Sequence, residues 1–176
     1  MKFSLKISKD SNWVVAIQVT DHQQFQLVKE NLKTKKCLYF KYRHEVPAES
    51  VLLYESKNIV MTGGLDQMLV IYNWTTGVVN KVIHLVIGPI SSLFRVGHLG
   101  VLGENFTLRF VDTRNDIEFK MMDPVSTHCK FVSCMEIVPF QSKVTDETKH
   151  LLIYGGSDSG NLNTFVLEDH MHGKNN

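Results

Sequence analysis

Between Lys29 and Arg43 the chain places six basic residues, Lys29, Lys33, Lys35, Lys36, Lys41 and Arg43, against one acid, Glu30. Tyr39, Phe40 and Tyr42 are interleaved with them. Cations spaced among aromatic rings can hold phosphates while bases stack between them, so the segment is a candidate surface for RNA or DNA. The same charge suits an acidic protein partner. It also suits a solvated turn leading into an outer strand whose lysines discourage stray edge pairing. On the residues alone all three readings stay open.

Reaction chemistry is harder to find. The chain has no G-x-x-x-x-G-K-[ST] loop, no H-E-x-x-H, no calcium-loop spacing and no G-x-G-x-x-G. Gly156-Ser157-Asp158-Ser159-Gly160 has the outline of a nucleophile elbow, but its centre is Asp158 and a strand pattern follows where a helix is required, so a hairpin turn is expected. His170 and His172 could approach a metal, yet two imidazoles without a fixed third ligand make a weak site. Asp66, Asp112 and Asp158 fall at turns of separate units, where aspartate bonds its own backbone, and this accounts for them without catalysis. No enzyme activity, no cofactor and no metal are expected.

Composition sets the class. In 176 residues, 43% are hydrophobic and 21% charged, and 19 Lys+Arg nearly cancel 18 Asp+Glu, which fits a folded globular chain and not a globally basic nucleic-acid binder. No apolar run reaches a membrane-spanning length and the first ten residues lack a secretory pattern, so an intracellular protein without membrane insertion is expected. Cys37, Cys129 and Cys134 are an odd set without C-x-x-C spacing, which reads as buried reduced thiols. The sequons at Asn73 and Asn105 fall in turns and, in that compartment, read as chance matches.

Hydrophobic runs are short, rich in Val, Ile, Leu and aromatics, and broken every few residues by Gly, Asn, Asp or Ser; strands are predicted throughout and helices nowhere. The clearest unit has strands at Ser50–Tyr54, Ile59–Thr62, Met68–Asn73 and Val78–Leu85. Its second turn carries Gly63 and Gly64, which permit positive φ or close backbone approach, and Asp66, which can bond the backbone two residues on. Met68–Tyr72 does not alternate, so both faces of that strand should be covered, whereas Val78–Leu85 mixes in Asn80, Lys81 and His84 and should be half-wet.

The unit recurs. Gly103–Asp112 aligns on Gly64–Asn73 without a gap, placing Leu108 39 residues after Leu69. A third copy holds Cys134–Val138, Leu151–Tyr154 and Leu162–Val166, its excess length lying in the polar stretch Gln141–His150. A weaker copy opens the chain at Phe3–Ile7, Trp13–Val19, Phe25–Val28 and Cys37–Tyr42. Spacings near 40 with four strands each are the mark of propeller blades.

In this frame Asp66-Gln67-Met68-Leu69-Val70-Ile71-Tyr72-Asn73 resembles the third strand of a WD repeat, D-G-T-V-K-I-W-D, with Tyr72 in the Trp place and Asn73 in the Asp place. Asn105–Asp112 keeps the final Asp; Ser159–Val166 keeps Gly and an aromatic; His22–Lys29 keeps only the apolar rhythm. No repeat has the family's Gly-His dipeptide ahead of its first strand, so these blades are expected to depend on apolar packing more than on the family's His/Ser/Asp/Trp tetrad.

The resemblance implies an all-β partial β-propeller over residues 1–169, with blades at about 2–44, 47–87, 88–124 and 129–169 and a polar tail at 170–176. The last blade stops at its third strand, leaving an open edge and an uncovered face that call for another protein chain. The family analogy implies a non-catalytic scaffold for protein–protein interaction in an intracellular multi-subunit complex, with an RNA-associated subunit as the alternative. Candidate contact residues are Lys33, Lys35, Lys36, Lys41 and Arg43 in the basic segment, and Gln141, Lys143 and Asp146 in the inserted loop.

Overall fold

A computed structural model describes residues 4–84, 88–90, 92–96, 99–104, 107–112, 120–121, 125–126, 132–142, 148–156 and 160–167, with the backbone alone described for those in the range 95–135 and for 156 and 167. The described elements are strands, apart from one 3-10 turn at Glu55–Lys57, and no helix among them is long and apolar enough to cross a membrane.

The first sheet is β1 (Leu5–Ile7), β2 (Trp13–Val19), β3 (Phe25–Asn31) and β4 (Cys37–His44), antiparallel in chain order. The second is β5 (Ala48–Tyr54), β6 (Ile59–Gly64), β7 (Met68–Asn73) and β8 (Val79–His84), again in order. The third joins β9 (Ser92–Val96), β10 (Leu99–Glu104) and β11 (Thr107–Asp112). Its outer position is shared by two short pieces, β12 (Lys120–Met121) and β13 (Val125–Ser126), both paired with β11. The fourth has three strands, β14 (Val132–Gln141), β15 (Thr148–Gly156) and β16 (Leu162–Leu167).

The first strands gather side by side: β1 packs on β5, β5 on β9 and β9 on β14. Four blade-like sheets therefore stack in sequence order, each turned against the next, in a partial β-propeller. The polar stretch expected as a loop from Gln141 to His150 is shorter, because the pairing of the two strands extends as far as Gln141 with Thr148. The tail 170–176 lies outside the described residues.

Period-two alternation explains why the second sheet sits at the centre. On β7, Leu69 and Ile71 join Leu52, Tyr54, Ile59, Met61, Ile90 and Leu93 in a cluster facing the third sheet. Val70 and Tyr72 point the other way, with Val15, Leu27, Phe40, Val51 and Val60, into the seam with the first sheet. Leu69 to Tyr72 are all buried, so the expected two-sided cover of this strand holds, and β8 alternates half-buried and exposed residues as expected of an outer strand. Each fully buried Leu or Ile contributes about 1.5–3 kcal/mol from apolar area removed from water.

Turn chemistry fixes the hairpins. In the first sheet, Asp10 receives hydrogen bonds from the Ser8 hydroxyl and from the side-chain amide and backbone N–H of Asn12. Those donors hold its carboxyl down to about 2. Between β7 and β8, Asn73 Oδ1 accepts the N–H groups of Thr75 and Thr76 while Gly77 takes a φ of 70°, a left-handed geometry that favours glycine. Asn73 of the first sequon is therefore a turn-forming side chain.

Candidate functional site

The seam between the first two sheets concentrates the described polar side-chain contacts between sheets. It begins in the β6–β7 hairpin, where the N–H of Gln67 donates to the Gly64 carbonyl at 3.2 Å and that of Met68 to Asp66 Oδ1 at 3.1 Å. The aspartate thus bonds two residues on, as its position predicts. Positive φ falls on Gln67, at 64°, and not on Gly63 or Gly64. The glycines serve close approach instead. A Cβ on Gly64 would come within 2.8 Å of His44 Nδ1, and one on Gly63 would collide with the Ile90 side chain.

The space left at Gly64 lets a buried network form. His44, at the end of β4, meets Asp66 Oδ2 through Nδ1 at 2.8 Å and Thr62 Oγ1 through Nε2 at 2.7 Å. Thr62 Oγ1 lies 3.3 Å from the Tyr72 hydroxyl. In the neutral imidazole with its proton on Nδ1, every member is satisfied: Tyr72 donates to Thr62, Thr62 to Nε2, and Nδ1–H to the carboxylate. Burial pushes the Tyr72 hydroxyl well above the usual phenol range, with Thr62 opposing, so it acts as a fixed donor. The rings of Phe40 and Tyr72 meet edge-to-face at 5.1 Å behind it. Burial, with smaller contributions from Asp66 and Glu45, likewise raises neighbouring Tyr42.

This network corrects the expectation that apolar packing would serve in its place. The imidazole comes from the last strand of the preceding sheet, 18 residues before Thr62, within Arg43-His44 and not a Gly-His pair.

A second polar device spans the same seam. Lys29 is only 6% exposed, and its ammonium lies 4.9 Å from the ring centre of Trp13 and 4.4 Å from that of Trp74, the chain's two tryptophans. It donates to the carbonyls of Trp74 and Thr75 on the second sheet. Desolvation lowers the ammonium below the ordinary lysine range, while the two ring faces and two carbonyls compensate its charge. The signal was present in sequence: β3 turns Leu27 inward, and Lys29, two residues on, must follow it. Further links are Lys41 N–H to the Gly77 carbonyl, Lys9 N–H to Glu55 and Val51 N–H to the Ser4 hydroxyl.

The basic segment is consequently divided. Lys29 is withdrawn into the seam. Lys33, Lys35 and Lys36 are exposed in a turn that Asn31 organises by accepting the N–H groups of Lys33 and Thr34, and Lys35 pairs with Glu30 at 3.4 Å. Such an exposed pair adds little stability. Lys41 and Arg43 are exposed on β4, with Arg43 Nη1 3.4 Å from Gln24 Oε1. Cys37 is free and exposed on that strand, not buried as expected. Gln141 is exposed at the end of β14; Lys143 and Asp146 lie outside the described residues, as do Cys129, His170 and His172. The structure does not bring the two candidate groups together in any described contact. No group of three or more His, Cys, Asp or Glu able to hold a metal ion occurs among the described residues.

The stack's two end faces complete the site. Pairing puts Leu5, Ala16, Val28 and Tyr39 in one row across the outward face of the first sheet, and Ile7, Val14, Glu30 and Cys37 in the next. A cleft of about 730 Å³ opens there, lined by Gln18, Asp21, His22, Tyr39 and Arg43 among others. Across the fourth sheet run Val138, Leu151 and Val166, flanked by Ile153 and Phe140, while Leu152 and Tyr154 turn inward and are buried.

No protein-family profile matches the chain, and no curated protein matches it. Among solved structures it is similar to Sqt1 of Saccharomyces cerevisiae, with a TM-score of 0.73 at 14% identity over 93% of this chain and 44% of that one. It is also similar to the computationally designed protein Ika4, with a TM-score of 0.68 at 16% identity over 93% of this chain and 89% of that one. The chain thus spans less than half the length of Sqt1. At these identities the likeness establishes the fold, a blade-like β-propeller arrangement.

Proposed function

We propose that this chain is a non-catalytic, WD-repeat-like scaffold that holds protein partners within a multi-subunit intracellular assembly. The observation that carries the reading is the exposure of apolar side chains on both end faces. Leu5 is 56% exposed, Ile7 57% and Tyr39 54% at one end; Val138 is 40%, Phe140 36%, Leu162 73% and Val166 39% at the other. Contiguous apolar surface on a sheet face marks a contact site, since water gains by its removal. The WD-repeat part of the proposal is supported by the network: His44, Thr62, Asp66 and Tyr72 take the places of the family's His, Ser, Asp and Trp. Exposed Lys33, Lys36, Lys41 and Arg43, with Gln141, supply polar contacts around the apolar centres.

Cross-linking of the chain in extracts of its native source, followed by mass spectrometry, tests this. Cross-links from both end sheets to protein in stoichiometric amount are expected. A chain that migrates at its monomer mass in those extracts, with no such cross-links, overturns the proposal.

A further inference from the structure

The connections within and between the first two sheets gather at two ends of opposite charge. At one end lie residues 8–12, 32–36, 55–58 and 74–77, which hold Lys9, Lys33, Lys35, Lys36 and Lys57 against Asp10 and Glu55. At the other lie residues 20–24, 45–47 and 65–67, which hold Asp21, Glu45 and Asp66 and no lysine or arginine. We propose that the basic end is a docking surface for an acidic segment, rich in Asp and Glu, of a partner protein. This surface is separate from the sheet faces on which the scaffold reading rests, since the turn ends of stacked sheets stay open when a further sheet packs on the stack.

Hydrogen bonds between turns join the basic end into one platform. The N–H of Leu32 donates to the Asn12 carbonyl at 2.8 Å, which ties together the two turns of the first sheet. Lys9 N–H donates to Glu55 Oε1 at 2.7 Å, and the Lys29 ammonium to the carbonyls of Trp74 and Thr75, which tie that sheet to the second. Trp74 N–H donates to the Asn58 carbonyl at 2.9 Å and closes the set. A surface fixed in advance loses little freedom on binding. The same bonds decide which charges are left over. Asp10 is engaged by Ser8 and Asn12, Glu55 by the Lys9 backbone, and Glu30 by Lys35 at 3.4 Å. Lys9, Lys33 and Lys36 are exposed, and no described group engages their ammonium groups. The acids here serve turn geometry while the cations face water, so an arriving anion meets three lysines that give up no internal contact.

What lies beside the lysines selects a carboxylate-bearing chain over a nucleic acid. Single strands need exposed rings on which bases stack. Phe40 is fully buried, Tyr42 packs in the seam, and the rings of Trp13 and Trp74 are taken up by Lys29. Tyr39 is exposed, but it lies in the row with Leu5, Ala16 and Val28 on the outward sheet face and not at the turns. Positive charge without stacking rings suits carboxylates spaced along a flexible segment, held by charge and screened by salt.

The test is the fluorescence anisotropy of a labelled oligoglutamate peptide titrated with residues 1–176, beside a labelled oligouridylate. Saturable binding of the peptide that weakens as salt rises is expected. Lys9→Gln, Lys33→Gln and Lys36→Gln together should weaken it roughly tenfold, since each exposed charge contact supplies a small share. Lys41→Gln with Arg43→Gln, away from these turns, should leave it unchanged. All five side chains are exposed, so the fold is kept, and far-ultraviolet circular dichroism checks it. A carbodiimide, which joins an amine directly to a carboxylate, should couple the peptide to Lys9, Lys33 or Lys36. Absence of binding, loss through Lys41 and Arg43 instead, coupling only at other lysines, or tighter binding of the oligouridylate through the same three lysines overturns the proposal. If the peptide binds here while native extracts give no cross-links from the end sheets, the scaffold reading fails and this surface stands; the opposite pair of results refutes the surface alone.

Discussion

On the face of β7 turned toward the first sheet, Val70 and Tyr72 lie beside Thr62, and the contacts across that seam include His44 to Asp66, Lys29 to two carbonyls, and Lys41 N–H to Gly77. On the opposite face of the same strand, Leu69 and Ile71 meet Leu52, Tyr54, Ile59, Met61, Ile90 and Leu93 in an aliphatic and aromatic cluster. One strand of six residues thus packs an apolar cluster against each neighbour, and on the side of the first sheet the cluster of Val15, Leu27, Phe40, Val51 and Val60 is joined by side-chain hydrogen bonds and a buried ammonium. Apolar packing depends on volume and tolerates exchange among residues of similar size, whereas hydrogen-bonded contacts demand particular atoms and so fix how the first two sheets are set against each other.

Substitutions at three positions would break or sharpen that contrast. Ile71→Ala should have the largest effect, a loss of about 4 kcal/mol in chemical denaturation from lost transfer energy and the cavity left behind. Ile71→Val should recover most of it, because volume is what that seam requires. His44→Ala should cost about 3 kcal/mol, since it strips the Asp66 carboxylate of its partner and leaves Thr62 short of one. Recovery by a similarly shaped apolar residue is not expected there; His44→Leu should remain nearly as unstable as His44→Ala. Tyr72→Phe should show the smallest change, about 1 kcal/mol, because the ring keeps its packing on Phe40 and only the 3.3 Å contact to Thr62 is lost. Combined with His44→Ala it should show coupling in a double-mutant cycle, while Ile71→Ala with Tyr72→Phe should be closer to additive.

The same contrast explains what could be read before the fold was known. Trp13–Val19 and Met68–Asn73 are strands at the expected bounds, and the cover of Leu69–Tyr72 followed from an unbroken apolar run. Period and composition are local properties, so they transmit the apolar seams. The polar seam joins residues far apart in sequence, and a local window does not contain it. His44 reaches Asp66 across 22 positions and Lys29 reaches Trp74 across 45. The imidazole stands ahead of the first strand of its repeat, but after Arg43 and not after a glycine. Composition places Lys29 in the basic segment, but strand parity turns its side chain inward. The glycines were informative as close-approach positions, and the left-handed residue was Gln67, whose side chain gives no such warning.

The cluster around Leu69 and Ile71 also gives the stack a thermal direction. Hydrophobic association weakens on cooling while hydrogen bonds and ion–dipole contacts do not lose strength in the same way. As the temperature falls toward freezing, the join between the second and third sheets therefore loses more of its hold than the join secured by His44 and Lys29. Both joins hold a buried apolar cluster and both should slacken on chilling, that between the second and third sheets before the other, which keeps the contacts of His44 and Lys29 beside Val15, Leu27, Phe40, Val70 and Tyr72.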